Sequence, residues 1–195
     1  LFIAENINFA YKTGGLLWGK PLNIQIISGE RIAINGKNGA GKTTLIQLIL
    51  GKLKPTEGKI FIAKNHSVYI DQDYSLINNH LQIYKQAQQF NQTGLQEHEV
   101  KIRLDRFLFS KDDWYKLCKS LSGGERMRLM LCCLNIANQS PDIIVLDEPT
   151  NNLDLQNIEI LTNAINEYEG TLIVISHDKT FLHEINIERT IELMK

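Results

Sequence analysis

Apolar and polar residues alternate over residues 2–8, as they do in a half-exposed antiparallel strand. The same period of two returns over 22–27, where Leu22, Ile24 and Ile26 share one face. Ile32-Ala33-Ile34 then runs directly into Gly36, and residues 43–50 read as a buried helix that Gly51 ends. Ile60-Phe61-Ile62 and Val68-Tyr69-Ile70 predict two further short strands. Ile143-Ile144-Val145-Leu146 is apolar on both faces, the character of a central parallel strand covered on each side. Leu172-Ile173-Val174-Ile175 repeats it.

Between Asp73 and Gln139 the texture changes. Glutamine and asparagine become frequent, β-branched runs vanish, and helical spacing takes over at Val100, Leu104, Phe107 and Leu108. The polar residues read as solvated helix faces. The pattern predicts an α/β fold: a mostly parallel sheet lobe over 1–72 and 139–195, with an antiparallel N-terminal β flank. A helical subdomain over 73–138 is inserted in it.

Composition narrows the function. The chain has 195 residues, 43% hydrophobic, with 22 acidic and 21 basic side chains, so no global basic field exists to hold a nucleic-acid backbone. Cys118, Cys132 and Cys133 are an odd number without C-x-x-C spacing, which predicts buried, reduced thiols and a cytoplasmic setting. No apolar run is long enough to span a bilayer, so direct membrane insertion is not expected. The chain opens on Leu1, already in a strand, which suggests an excerpt of a longer protein.

Candidate chemistry begins at Gly36-Lys37-Asn38-Gly39-Ala40-Gly41-Lys42-Thr43, which fits G-x-x-x-x-G-K-[ST] between a predicted strand and a predicted helix. Glycines there let backbone N–H groups converge on phosphate oxygens, and the helix presents its positive end to the anion. Lys42 should reach the β- and γ-phosphates, Thr43 should ligate Mg²⁺, and Thr44 should add a phosphate hydrogen bond. A hundred residues on, the apolar strand delivers Asp147 and Glu148 to the sheet edge where open α/β folds bind ligands. Asp147 suits the Mg²⁺ shell, and Glu148 suits a general base for water.

Between these elements lies Leu121-Ser122-Gly123-Gly124-Glu125. With all three in order, the chain resembles the ATP-binding cassette (ABC) ATPases nearly end to end. The resemblance implies a P-loop NTPase of ABC type with a RecA-like lobe, and ATP clamped between two cassettes. It implies that Tyr11 stacks on adenine, and that Gln72 senses the γ-phosphate and Mg²⁺ and joins the lobes. Ser122, Gly123 and Gly124 would meet the γ-phosphate held by a partner cassette. Asp154 would sit in the loop crossing that interface, and His177 would be the γ-phosphate switch.

Leu146-Asp147-Glu148-Pro149-Thr150-Asn151-Asn152-Leu153-Asp154 is similar to the ABC-F branch, whose pattern usually reads D-E-P-T-N-H-L-D; Asn152 replaces the histidine. ABC-F proteins carry two cassettes without a membrane domain and act on ribosomes, as translation factors or in antibiotic resistance. This chain has no room for the helical arm common in the first cassette, so it looks more like the second. The alternative is the ATPase domain of a membrane transporter, with the same site chemistry. Chromosome-maintenance ATPases share the signature but insert long coiled coils, and no sustained heptad occurs here. Arg126 and Arg128 invite a nucleic-acid reading, yet they fit better on the solvated or interface face of a helix with an apolar core side.

Overall fold

A computed structural model describes residues 1–12, 14–137 and 139–194. It divides into two compact units, Leu1–Tyr69 with Pro141–Glu148 and Glu169–Lys195, and Ile70–Ser140 with Pro149–Tyr168. The second unit is therefore larger than the predicted 73–138 insertion, which ends on residue 138, outside the described residues. Residues 149–168 join it because their helix packs on the helix that follows the Ser122-Gly123-Gly124 run.

In the first unit, strands β1 (Phe2–Asn8), β2 (Leu22–Ile26) and β4 (Glu57–Ile62) form an antiparallel sheet in the order β2-β1-β4, with β3 (Arg31–Asn35) between β2 and β4 in sequence. A second sheet has the order β5-β6-β7-β3-β8, where β5 is Ser67–Ile70, β6 Ile143–Asp147, β7 Thr171–Ile175 and β8 Arg189–Glu192. β6, β7, β3 and β8 pair in parallel, and every residue of β7 is buried. Helix α1 (Lys42–Ile49) buries Leu45, Ile46, Leu48 and Ile49. These join Phe2, Ile7, Ile24, Ile34, Val145 and Ile173 in one core shared by both sheets. A helix buried so widely needs apolar residues on more than one face, as this sequence supplies.

The alternation expected of β1 stops at Glu5. Register shifts there against both neighbours, and Asn6 takes φ 51°. This is a β-bulge, one extra residue that turns the following side chains over. It carries Ile7, at 0% exposure, onto the buried face that Phe2 and Ala4 hold before the bulge, and Asn8 beside it is 1% exposed.

In the second unit, α2 (Ile83–Gln89), α3 (Glu97–Arg106) and α4 (Gly123–Ile136) pack on one another, and α5 (Leu155–Asn166) packs on α4. Val100 and Leu104 are buried as the spacing predicts, but α3 ends at Arg106. Phe107 is its C-cap and Leu108 takes φ 65° and is exposed, so the apolar spacing overran the helix by its last two positions. Cys118, Cys132 and Cys133 are buried and free. Burial pushes the thiol of Cys118 up to about 11 and that of Cys132 to about 12, and raises that of Cys133, so these are inert thiols. Among the described residues, no helix is long and apolar enough to cross a membrane.

Candidate nucleotide site

β3 emerges from the core at Asn35, and the chain turns through residues 36–41 before α1 begins. The turn is held by Ala40 N donating to Lys37 O at 3.0 Å. Gly41, the residue capping α1, adopts φ 91°, and a Cβ there would lie 3.0 Å from Trp18 Nε1. Only glycine satisfies both constraints without strain. No side chain caps the first turn of α1, and no acidic residue occupies it. Its leading N–H groups and positive dipole end are therefore left to an external anion. Lys42 Nζ folds back over the loop and donates to Gly36 O at 2.7 Å.

A cleft of about 490 Å³ opens here, lined by Tyr11, Lys42, Thr43, Asp147 and Glu148 among others. That volume suits a small-molecule ligand. Asn38, Gly39, Gly41 and Thr44 also line it, while Gly36 and Ala40 line an adjoining groove with Asn38 and His177. Tyr11 is half exposed, packs edge-on against Phe9 with ring centroids 4.9 Å apart, and shares a 2.8 Å hydrogen bond with Thr44 Oγ1. Its ring is thus fixed at both ends.

Asp147 ends β6, and its Oδ2 accepts a 2.7 Å hydrogen bond from Tyr69 Oη. Glu148 follows with φ 50°, a left-handed conformation that costs a non-glycine residue about 1–2 kcal/mol. Its N–H donates to Ile175 O at 2.8 Å, which anchors the strained residue to the end of β7. From there its Oε1 lies 3.3 Å from His177 Nε2. The His177 loop is itself held by Asp178 N donating to Ser176 Oγ at 3.1 Å and by the Asp178 side chain capping α6 (Lys179–Glu184). Backbone strain kept in place by surrounding structure is characteristic of functional positions. The structure thus brings Lys42, Thr43, Asp147, Glu148 and His177 to one edge of the parallel sheet.

The other expected residues belong to the second unit. Gln72 is exposed in the turn after β5. Ser122 caps α4: its Oγ accepts from Glu125 N at 3.3 Å and donates to Glu125 Oε2 at 2.8 Å, while Ser122 N donates to the same carboxylate oxygen at 2.8 Å. Asp154 caps α5, accepting from Asn157 N at 2.8 Å and from Asn157 Nδ2 at 2.9 Å. Asn157 Oδ1 accepts from Arg128 Nη1 at 2.8 Å, so Asn157 ties the start of α5 to α4. A Cβ on Gly124 would overlap Asn157 Nδ2. Gly123 approaches Asn152 O, and Asn152 at φ 61° adopts a left-handed conformation that asparagine tolerates well. Arg126 also bonds within the unit, to Asn79 Oδ1 at 2.7 Å, and both arginines are half-buried.

Sequence reasoning missed Trp18, Tyr69 and Asn157. Trp18 is 1% exposed, and its Nε1 donates to Ala40 O at 2.9 Å. Only the tyrosine carried a signal, standing three residues before Gln72 in an apolar strand.

The ABC transporter family profile matches residues 20–151, a span holding the phosphate loop, the Ser122-Gly123-Gly124 run and the Asp147-Glu148 pair. The chain belongs to this ABC family. It is 38% identical to YbiT of Escherichia coli, covering 96% of this chain and 36% of that protein. It is 37% identical to the ATP-binding protein Uup of Buchnera aphidicola, covering 93% and 30%. It is 35% identical to ABC transporter F family member 5 of Arabidopsis thaliana, covering 97% and 27%. These relatives are ABC-F type ATP-binding proteins, so the cassette is most like those of that branch. The chain spans only 36%, 30% and 27% of their lengths. The fold is similar to that of the ATP-binding cassette MJ0796, a structure of its dimeric post-hydrolysis state bound to ADP and Pi. The TM-score is 0.75 at 23% identity, covering 99% of this chain and 94% of that one. An ATP-bound Atm1-family ABC exporter gives 0.74 at 22%, covering 93% and 35%.

Proposed function

We propose that this ABC cassette binds and hydrolyses ATP as one of a pair, with nucleotide held between the phosphate loop of one cassette and the Ser122-Gly123-Gly124 run of the other. The observation that carries this reading is the meeting of Glu148 and His177, 3.3 Å apart, beside the cleft lined by Lys42 and Thr43. The uncapped start of α1 and Lys42 bind the phosphates, and Tyr11 offers its ring to adenine. Thr43 and Asp147, hard oxygen donors lining one cleft, fit Mg²⁺. Bound Mg²⁺ supplies charge neutralisation at the β- and γ-phosphates.

Glu148 takes the proton from water as its oxygen bonds to the γ-phosphorus and the bond to the β-phosphate oxygen breaks, leaving ADP and phosphate. His177 orients the Glu148 carboxylate and contacts the γ-phosphate. Glu148→Gln keeps shape and polarity but cannot accept a proton. It should leave ATP binding intact while single-turnover hydrolysis falls about 10²–10⁴-fold. Hydrolysis at the wild-type rate would remove Glu148 from this role.

In its longer protein, the cassette acts on the ribosome, as a translation factor or in antibiotic resistance. Support comes from the ABC-F relatives and the Asp147–Asp154 segment, since a net charge of -1 provides no electrostatic drive toward RNA. Co-sedimentation of that protein with ribosomes in ATP, and release after hydrolysis, tests it. ATP-driven transport in proteoliposomes without ribosome binding would favour a transporter instead.

A further inference from the structure

Trp18 is one of the most buried large side chains in the first unit, yet it ends a surface hairpin rather than a strand. Two polar links explain why it is there. On one side, buried Asn8 brackets its backbone: Asn8 Nδ2 donates to Trp18 O at 2.7 Å, and Asn8 Oδ1 accepts from Trp18 N at 3.1 Å. Asn8 is 1% exposed and follows the β1 bulge directly, at the point where the strand ends. On the other side, the indole N–H donates to Ala40 O at 2.9 Å, and the ring edge fills the space a Gly41 side chain would need.

The same hairpin reaches the other end of the cleft. Leu17 N donates to Phe9 O at 2.8 Å, Leu17 lines the cleft, and Tyr11 bonds Thr44 at 2.8 Å. Trp18 therefore touches the phosphate loop at its Ala40–Gly41 corner, and Tyr11 touches the first turn of α1.

We propose that Trp18 is a positioning residue of the nucleotide site: its indole N–H fixes the Ala40 carbonyl, and so aims the amides of residues 39–41 at the phosphates. This rests on reading the cleft as the ATP site. Without the donor, the buried Ala40 carbonyl loses its partner and the loop must rotate to find another. Because the loop grips ground state and transition state alike, the loss falls on binding rather than on the chemical step.

Trp18→Phe keeps an aromatic ring and removes only the N–H. KM for ATP should rise about tenfold while kcat stays within about twofold, with a native circular-dichroism spectrum. An unchanged KM in that folded variant overturns the proposal and leaves the ATP reading standing. A wild-type chain that binds no ATP overturns the ATP reading itself. Should Trp18→Phe fail to fold, the indole N–H signals of the ¹⁵N-labelled unsubstituted chain decide. Saturating ADP should shift the Trp18 signal and leave Trp114, whose Nε1 donates to Phe109 O at 2.8 Å in the helical unit, in place. A Trp18 signal that moves no more than Trp114 counts against the proposal.

Discussion

Two glycine-rich turns open helices in this cassette, and they treat their helix ends in opposite ways. Ahead of α1 the turn supplies no side-chain cap, and the first amides are left for a ligand. Ahead of α4, Ser122 and Glu125 close a full capping box, so that helix satisfies itself. The first turn is built around something absent from the chain; the second is stable as it stands. To serve a phosphate, Ser122 must release Glu125, which makes the signature a conditional donor and the phosphate loop an unconditional one. On the proposed pairing, a cassette of this kind holds nucleotide alone but completes its site only when a second one opens its own cap.

Lys42→Ala should separate the two turns most sharply. Losing the ammonium should weaken ATP binding about 10²-fold in a calorimetric titration, with a smaller effect on thermal stability, where the loss is the hydrogen bond to the part-buried Gly36 carbonyl. Gly124→Ala should do the reverse. Its new methyl would meet Asn157 and push α4 from α5, lowering stability by about 1–3 kcal/mol in urea unfolding while leaving ATP affinity alone. Ser122→Ala is the mildest of the three: loss of the cap should lower stability by about 1 kcal/mol, again without effect on ATP binding by the single chain. Reduced ATP affinity in either signature variant, in dilute protein, would erase the contrast.

What the sequence disclosed follows the same division. The strand-loop-helix context of residues 36–43 and the doubly apolar β6 ending at Asp147 are local patterns, and both appear where their periodicity puts them. The devices that hold them are not local. Asn8 is indistinguishable in sequence from a solvent-facing asparagine, because the Trp18 backbone that satisfies its side chain lies ten positions away. Trp18 reads as a core residue whose hydrogen-bond partner lies 22 positions away. Asn157 joins α5 to an arginine 29 positions back, and its meaning depends on helix packing. β8, short and mostly exposed, is a strand only because it pairs beside β3. Pairing and packing over such separations leave no period to read.

The most direct measurement is steady-state ATP hydrolysis per chain over a hundredfold dilution series at saturating Mg-ATP. If each phosphate loop needs the Ser122 run of a second cassette, specific activity should rise with protein concentration, the rate itself approaching second order in protein at the dilute end. Specific activity well above background and flat across the series would show that one chain completes its own site, contradicting the account at its centre.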